Sequence, residues 1–292
     1  MHKVPAAQGI HWVVTALRLL GRHFALLFTL GLLLVLLTQI PFLGSFIGLF
    51  LGPALLGGIV WAVQQRQMAG GRSIGIGALF KAFDGSQRLP SLIALCLPAI
   101  GLFLLLIIAA SGILAGSVGG NPAKLETMQN NPALLLAALR GHLLPLLTIL
   151  LLGALLNFAL TFFAVPQVML RQQGGFAAMG QSLRAVGRNW AALLLMLLGL
   201  IGLGVVASLA LQIIFPGGGG LGGGFLVVTH QSGRLQIIGG GLGGWWRLLA
   251  LLVMLALMYG YTAVLMYVAW CDVFGDAPAA AGSAAGEVHA EM

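Results

Sequence analysis

The chain has 292 residues and a mean hydropathy of +1.05; 60% of the residues are hydrophobic and 7% charged. Soluble domains carry roughly 25% charged residues, so a water-soluble globule is excluded. The formal charge of +8 would suggest nucleic acid in a soluble protein. Here the basic residues stand in small groups beside apolar runs, where they set orientation and meet anionic headgroups, so no nucleic-acid partner is expected. Several apolar runs exceed the ~20 residues that span a hydrocarbon core, and alternating outward-facing patterns are lacking, which predicts helices rather than a barrel.

Residues 1–7 form a polar lead with His2 and Lys3. Residues 8–22 read as an amphipathic elbow with Trp12 as an interfacial anchor, and a first span follows over 24–39, short unless the elbow partly inserts. Arg18 and Arg22 interrupt the N-terminal apolar stretch, so no cleavable signal peptide is expected. A tight turn at 41–45 leads into a second span over 46–66, in which Gly52-Pro53 and Gly57-Gly58 predict a kinked, closely packed helix. A second, looser elbow covers 74–86, and a third span runs over 90–115 with Pro98 inside it. A polar Asn/Pro-punctuated loop over 116–133 and a short helix over 133–140 precede the fourth span, 142–170, which carries Pro166. The third elbow is 176–189 and the fifth span 190–215. Between two glycine tracts, residues 225–238 read as a small hairpin around His230-Gln231-Ser232-Gly233. The sixth span is 245–272, with aromatics at both ends. The Ala/Gly-rich tail, 276–292, is expected to be a disordered cytoplasmic extension of a membrane domain covering 1–275.

The elbows carry a repeat. Ala16-Leu17-Arg18-Leu19-Leu20-Gly21-Arg22-His23-Phe24 is echoed by Ser182-Leu183-Arg184-Ala185-Val186-Gly187-Arg188-Asn189-Trp190. In each copy two arginines four residues apart share one helix face, a glycine precedes the second, and a long apolar run follows. Ala78-Leu79-Phe80-Lys81-Ala82-Phe83 with Arg88 is a third version. The predicted fold is therefore an all-α polytopic membrane protein with six transmembrane helices in three elbow-plus-hairpin units. Ten of the 14 lysines and arginines fall on the elbow side, which predicts both termini in the cytoplasm of a bacterial inner membrane.

Chemistry is sparse. Asp84, Glu126, Asp272, Asp276, Glu287 and Glu291 all fall at span ends, in loops or in the tail, which argues against an ion-coupled pump. His142, His230 and Glu126 lack metal-ligand spacing, no G-x-S-x-G elbow is present, and the glycines of 217–224 lack a following GK[ST]. No catalytic residue, metal or cofactor is expected. Cys96 and Cys271 have no cysteine or histidine neighbour and read as packing residues. Asn157 and Gln212 read as interhelical hydrogen-bonding groups; with the Pro53 and Pro166 kinks they would line a path if the protein were a facilitator for a small solute or lipid. The remaining candidates are Arg18, Arg22, Lys81, Arg88, Arg184 and Arg188, expected at the cytoplasmic headgroup level. Their bland role is anchoring; the sharper reading gathers the elbows around one pocket that holds a lipid phosphate.

The Val4-Pro5-Ala6-Ala7-Gln8-Gly9 entry, the Pro41-Phe42-Leu43-Gly44 turn with Gly52-Pro53, the second and third elbows and the closing Asp272-Val273-Phe274 resemble a family of uncharacterised bacterial inner-membrane proteins. The layout is also similar to membrane domains attached to glycerophosphodiester phosphodiesterases. The first resemblance implies an address without an activity, and the second hints at lipids. The resulting expectation is a non-enzymatic membrane scaffold or lipid-interacting protein whose partners are anionic lipids of the cytoplasmic leaflet, with protein partners open.

Overall fold

Proline decides where the long apolar runs break. A computed structural model describes residues 1–68, 74–84, 88–118, 134, 140–214, 227–231, 234–238 and 242–275. Helix α1 (Gln8–Arg22) turns at His23 into α2 (Phe24–Thr38), and α3 (Leu43–Phe46) continues through a π turn, Ile47–Leu51, into α4 (Gly52–Met68). A 3-10 helix, Ile76–Phe83, precedes α5 (Arg88–Ala94) and α6 (Leu97–Val118). Then come α7 (Leu143–Thr161), α8 (Ala164–Arg171), α9 (Gly175–Arg188), α10 (Trp190–Ile214) and α11 (Leu242–Phe274). Pro53, Pro98 and Pro166 each fall in the first turn of α4, α6 and α8. There a missing amide leaves no hydrogen bond unmade, so the breaks at Leu95-Cys96 and Phe162-Phe163, and the π turn ahead of α4, come just upstream of a proline.

Among the described residues, five stretches are long and apolar enough to cross a membrane: Leu43–Met68, Arg88–Gly116, Leu143–Arg171, Trp190–Ala210 and Leu249–Phe274. A sixth is reached only with the pair α1 and α2, which are bent 97° from one another. Alone, α2 has 15 residues, about 22 Å at 1.5 Å per residue, against a hydrocarbon core of about 30 Å. The first arm of this hairpin is therefore short, and the turn after it is apolar: Phe42 is 99% exposed and adopts φ 63°. The expected ribbon is present as an antiparallel pair, Val227–Gln231 with Arg234–Ile238, in which Val227 faces Ile238 and Gln231 faces Arg234. The expected loop residues 119–133 with Lys124 and Glu126, most of the short helix 133–140, the glycine tract 217–224 and the tail 276–292 lie outside the described residues.

The three units interlock in a ring. The first elbow, α1, packs on α10 and α11, the helices of the third unit; the 3-10 elbow packs chiefly on α4 of the first unit; and the third elbow, α9, packs on α5, α7 and α8 of the second. Each elbow thus lies across the hairpin of another unit. The return helix α4 also packs on α8 and on α11, and α2 packs extensively along α11. Glycines make these approaches possible. A Cβ on Gly9 would strike the Ala192 carbonyl, one on Gly175 the Ser91 carbonyl, one on Gly58 the Leu79 carbonyl and one on Gly31 the Ala256 carbonyl. The continuous core these contacts enclose includes Trp12, Leu27, Leu55, Leu79, Phe163, Met169, Met196, Tyr261 and Trp270.

Candidate lipid-facing site on the basic elbows

The two sequence copies of the elbow are also copies in space. In α1 the buried positions include Gly9, Trp12, Val13 and Ala16; in α9 they include Gly175, Ala178, Met179 and Ser182, the same positions of the repeat. The corners match as well. His23 has φ −118° and ψ 31°, and Asn189 φ −118° and ψ 26°. His23 N–H donates to Leu19 O at 3.0 Å and Asn189 N–H to Ala185 O at 3.0 Å, while the next span starts with Leu27 N–H to His23 O and Leu193 N–H to Asn189 O, both 3.1 Å.

Each of these helices has three faces. The inward face packs. A second face is apolar yet exposed, with Ile10, Val14 and Leu17 on α1 and Phe176 and Leu183 on α9, continued past the corner by Phe24 and Trp190. The third face is polar and exposed, with His11, Arg18 and Arg22 on α1 and Arg184 and Arg188 on α9. A helix lying in the membrane surface needs this division: one face for protein, one for acyl chains, one for headgroups and water.

The second elbow departs from the pattern. Its buried residues Ala78, Leu79 and Ala82 and its exposed Ile76, Phe80 and Phe83 align with α1, which sets Arg88 at the place of Arg22 and Asp84 at the place of Arg18. Lys81 Nζ is held by Asp84 at 2.5 Å and lies 5.3 Å from the centre of the Trp61 ring. Lys81 is thereby turned onto the protein. Arg88 is half-buried at the first residue of α5, and its Nε has no partner among the described residues. The three elbows rest on different hairpins.

Two residues outside the candidate set join the first corner. Burial and the charges of Arg66 and Arg22 hold the His23 imidazole below its ordinary pKa. Arg66 lies in the last turn of α4, where a cation also meets the negative end of the helix dipole. Nothing in the local sequence joined His23 to Arg66, because α4 reaches the corner only through tertiary packing.

The acids and amides at the span ends turn out to be fasteners. Half-buried Asp272 accepts from Gln8 Nε2 at 2.6 Å and from Trp12 Nε1 at 2.7 Å through one oxygen, pinning α1 to α11. Tyr261 Oη adds a bond to Val13 O at 3.2 Å. The Asn189 side chain accepts from Val4 N–H at 2.9 Å and donates to His2 O and Ala185 O, and His2 N–H donates to Val273 O at 2.7 Å. Ser182 Oγ donates to Ala159 O at 2.7 Å and accepts from Phe163 N–H at 3.1 Å, so the third elbow satisfies an amide left open at the break before Pro166. By contrast, the hydroxyls of Thr29, Thr148, Thr161 and Ser208 donate to carbonyls of their own helices. Asn157 Oδ1 is buried without a partner among the described residues.

Fold and elbows together define a helical, multi-pass membrane protein. No protein-family model, no curated protein and no solved structure matches the chain. The resemblance to uncharacterised inner-membrane proteins therefore rests on the short motifs alone.

Proposed function

We propose that this protein is a non-enzymatic, lipid-interacting scaffold of the bacterial inner membrane, with its elbows and both termini on the cytoplasmic side. The observation that carries the reading is the three-faced elbow, built twice with the same buried positions and the same corner, each time presenting a pair of guanidinium groups beside an exposed apolar stripe. Arginine matches phosphate geometry with a planar fork, and each basic residue at an anionic surface contributes on the order of 1 kcal/mol. The bias of basic residues to the elbow side supports the orientation. The facilitator alternative draws less support, since the hydroxyls of Thr29, Thr148, Thr161 and Ser208 donate to carbonyls of their own helices.

Native mass spectrometry of protein extracted gently from its own membrane tests the proposal. Replacing Arg184 and Arg188 by Ala removes about 2 kcal/mol of headgroup attraction and is expected to strip anionic lipid adducts that survive replacement of Lys124 and Arg140. Equal loss from both pairs would leave the elbows with no more than generic charge.

A further inference from the structure

Helix α2 is the short wall of the molecule, and α11 shows where that wall ends. A Cβ on Gly31 would meet the Ala256 carbonyl, and one on Gly260 the Leu27 carbonyl. The two helices therefore run antiparallel, Leu27 beside Gly260 and Gly31 beside Ala256. Carried along both, this register sets the corner residue His23 level with Val264 and Thr38 level with Leu249. Trp246, about one turn beyond Leu249, is 60% exposed, and exposed tryptophans mark the edge of a hydrocarbon core. From the level of His23 to that of Trp246, α11 rises about 27 Å. The 15 residues of α2 itself rise about 22 Å. Both lengths fall short of a core of about 30 Å.

The other arms have length to spare. Leu43–Met68 has 26 residues, and Arg88–Gly116 and Leu143–Arg171 have 29 each. A helix that is too long fits its bilayer by tilting. Tilting only shortens the reach of α2, so the membrane itself has to adjust there. The tip beyond α2 also suits lipid better than open water: Phe42, Leu43 and Phe46 are exposed, and no charged residue stands between Gln39 and Phe46.

We propose that the face formed by α2 and the turn at Phe42 fits a thin bilayer, so that the far leaflet dips by about 8 Å to meet the tip and lipids with short acyl chains are its preferred partners. The proposal rests on the reading above in which the elbows lie in the membrane surface, since Arg22 and His23 set the level from which α2 is measured. It adds the acyl chains to a reading that so far concerned headgroups.

The test uses the full chain in vesicles of dimyristoyl, dioleoyl or dierucoyl phosphatidylcholine, all fluid, with thermal unfolding as readout. Tm is expected to be highest in the dimyristoyl lipid and to fall by on the order of 5 °C across the series. A Tm that stays constant or rises with chain length overturns the proposal. Phe42→Lys places a charge on the tip. It is expected to match the parent in the dimyristoyl lipid and to fall more steeply in the longer ones, where the tip sinks below the headgroups. Parallel falls in the two proteins also overturn the proposal: without an offset the mismatch lies at another wall, and with a large offset the tip is sunk at every thickness. The three lipids share one zwitterionic headgroup, so a missing chain-length effect leaves the anionic adducts of the elbows standing, and missing adducts leave this effect standing.

Discussion

Removing the Asp272 carboxylate is expected to loosen the first elbow from the last helix. Two donors converge on one oxygen of Asp272, Gln8 Nε2 at 2.6 Å and Trp12 Nε1 at 2.7 Å. Hydrogen bonds to a charged group contribute about 1.5–3 kcal/mol each, and two that share an acceptor fall short of additivity, so Asp272→Ala is expected to destabilise the fold by about 3 kcal/mol. Most of this arises from Trp12, which is 0% exposed: its indole N–H has no route to water once its acceptor is gone. Asp272→Asn keeps an amide oxygen for one donor and is expected to cost about half as much. The assay is reversible unfolding in mixed micelles by a denaturing detergent, run as a cycle of Trp12→Phe, Asp272→Ala and the double variant. A coupling of about 1–2 kcal/mol is expected, as for residues in direct contact. Additive effects, or a loss below about 0.5 kcal/mol for Asp272→Ala, the range of ordinary surface substitutions, would refute the reasoning.

The same corner responds to acid. Because burial, Arg66 and Arg22 lower the pKa of His23 in the folded protein, the unfolded chain binds the proton more readily, so stability is expected to be full above the ordinary value of 6.5 and to decline as pH falls below it. His23→Gln should flatten that slope; an unchanged acid slope in the variant would remove His23 from the account. The ring packing is tested at its glycines. Gly9→Ala and Gly175→Ala each drive a methyl group into a carbonyl of the neighbouring unit, Ala192 O and Ser91 O, whereas Gly21 and Gly187, with open space around them, should accept alanine. Losses of about 1–3 kcal/mol are expected at the first pair; equal tolerance at all four positions in the same unfolding assay would argue against the interlocked elbows.

The corner and the elbows show different degrees of legibility. The exposed guanidiniums of Arg18, Arg22, Arg184 and Arg188 could be read from spacing, since a helix places residues four apart on one face wherever it packs. Lys81 has a comparable place in its elbow's sequence, yet Asp84, three residues on, and Trp61 hold it.

From the sequence alone came the all-α class, the membrane spans, the breaks near Pro98 and Pro166, the elbows and their doubled arginines. These depend on local hydropathy, on the period of a helix and on the missing proline amide, each written in neighbouring residues. Tertiary structure alone decided that each elbow rests on another unit's hairpin, that Asp272 and Asn189 fasten the N-terminal segment, and that His23 meets the charge of Arg66. Those pairings join residues up to 264 positions apart. They follow from how close two helices can approach, which glycine, ring volume and buried polar groups determine together and no single stretch of chain encodes.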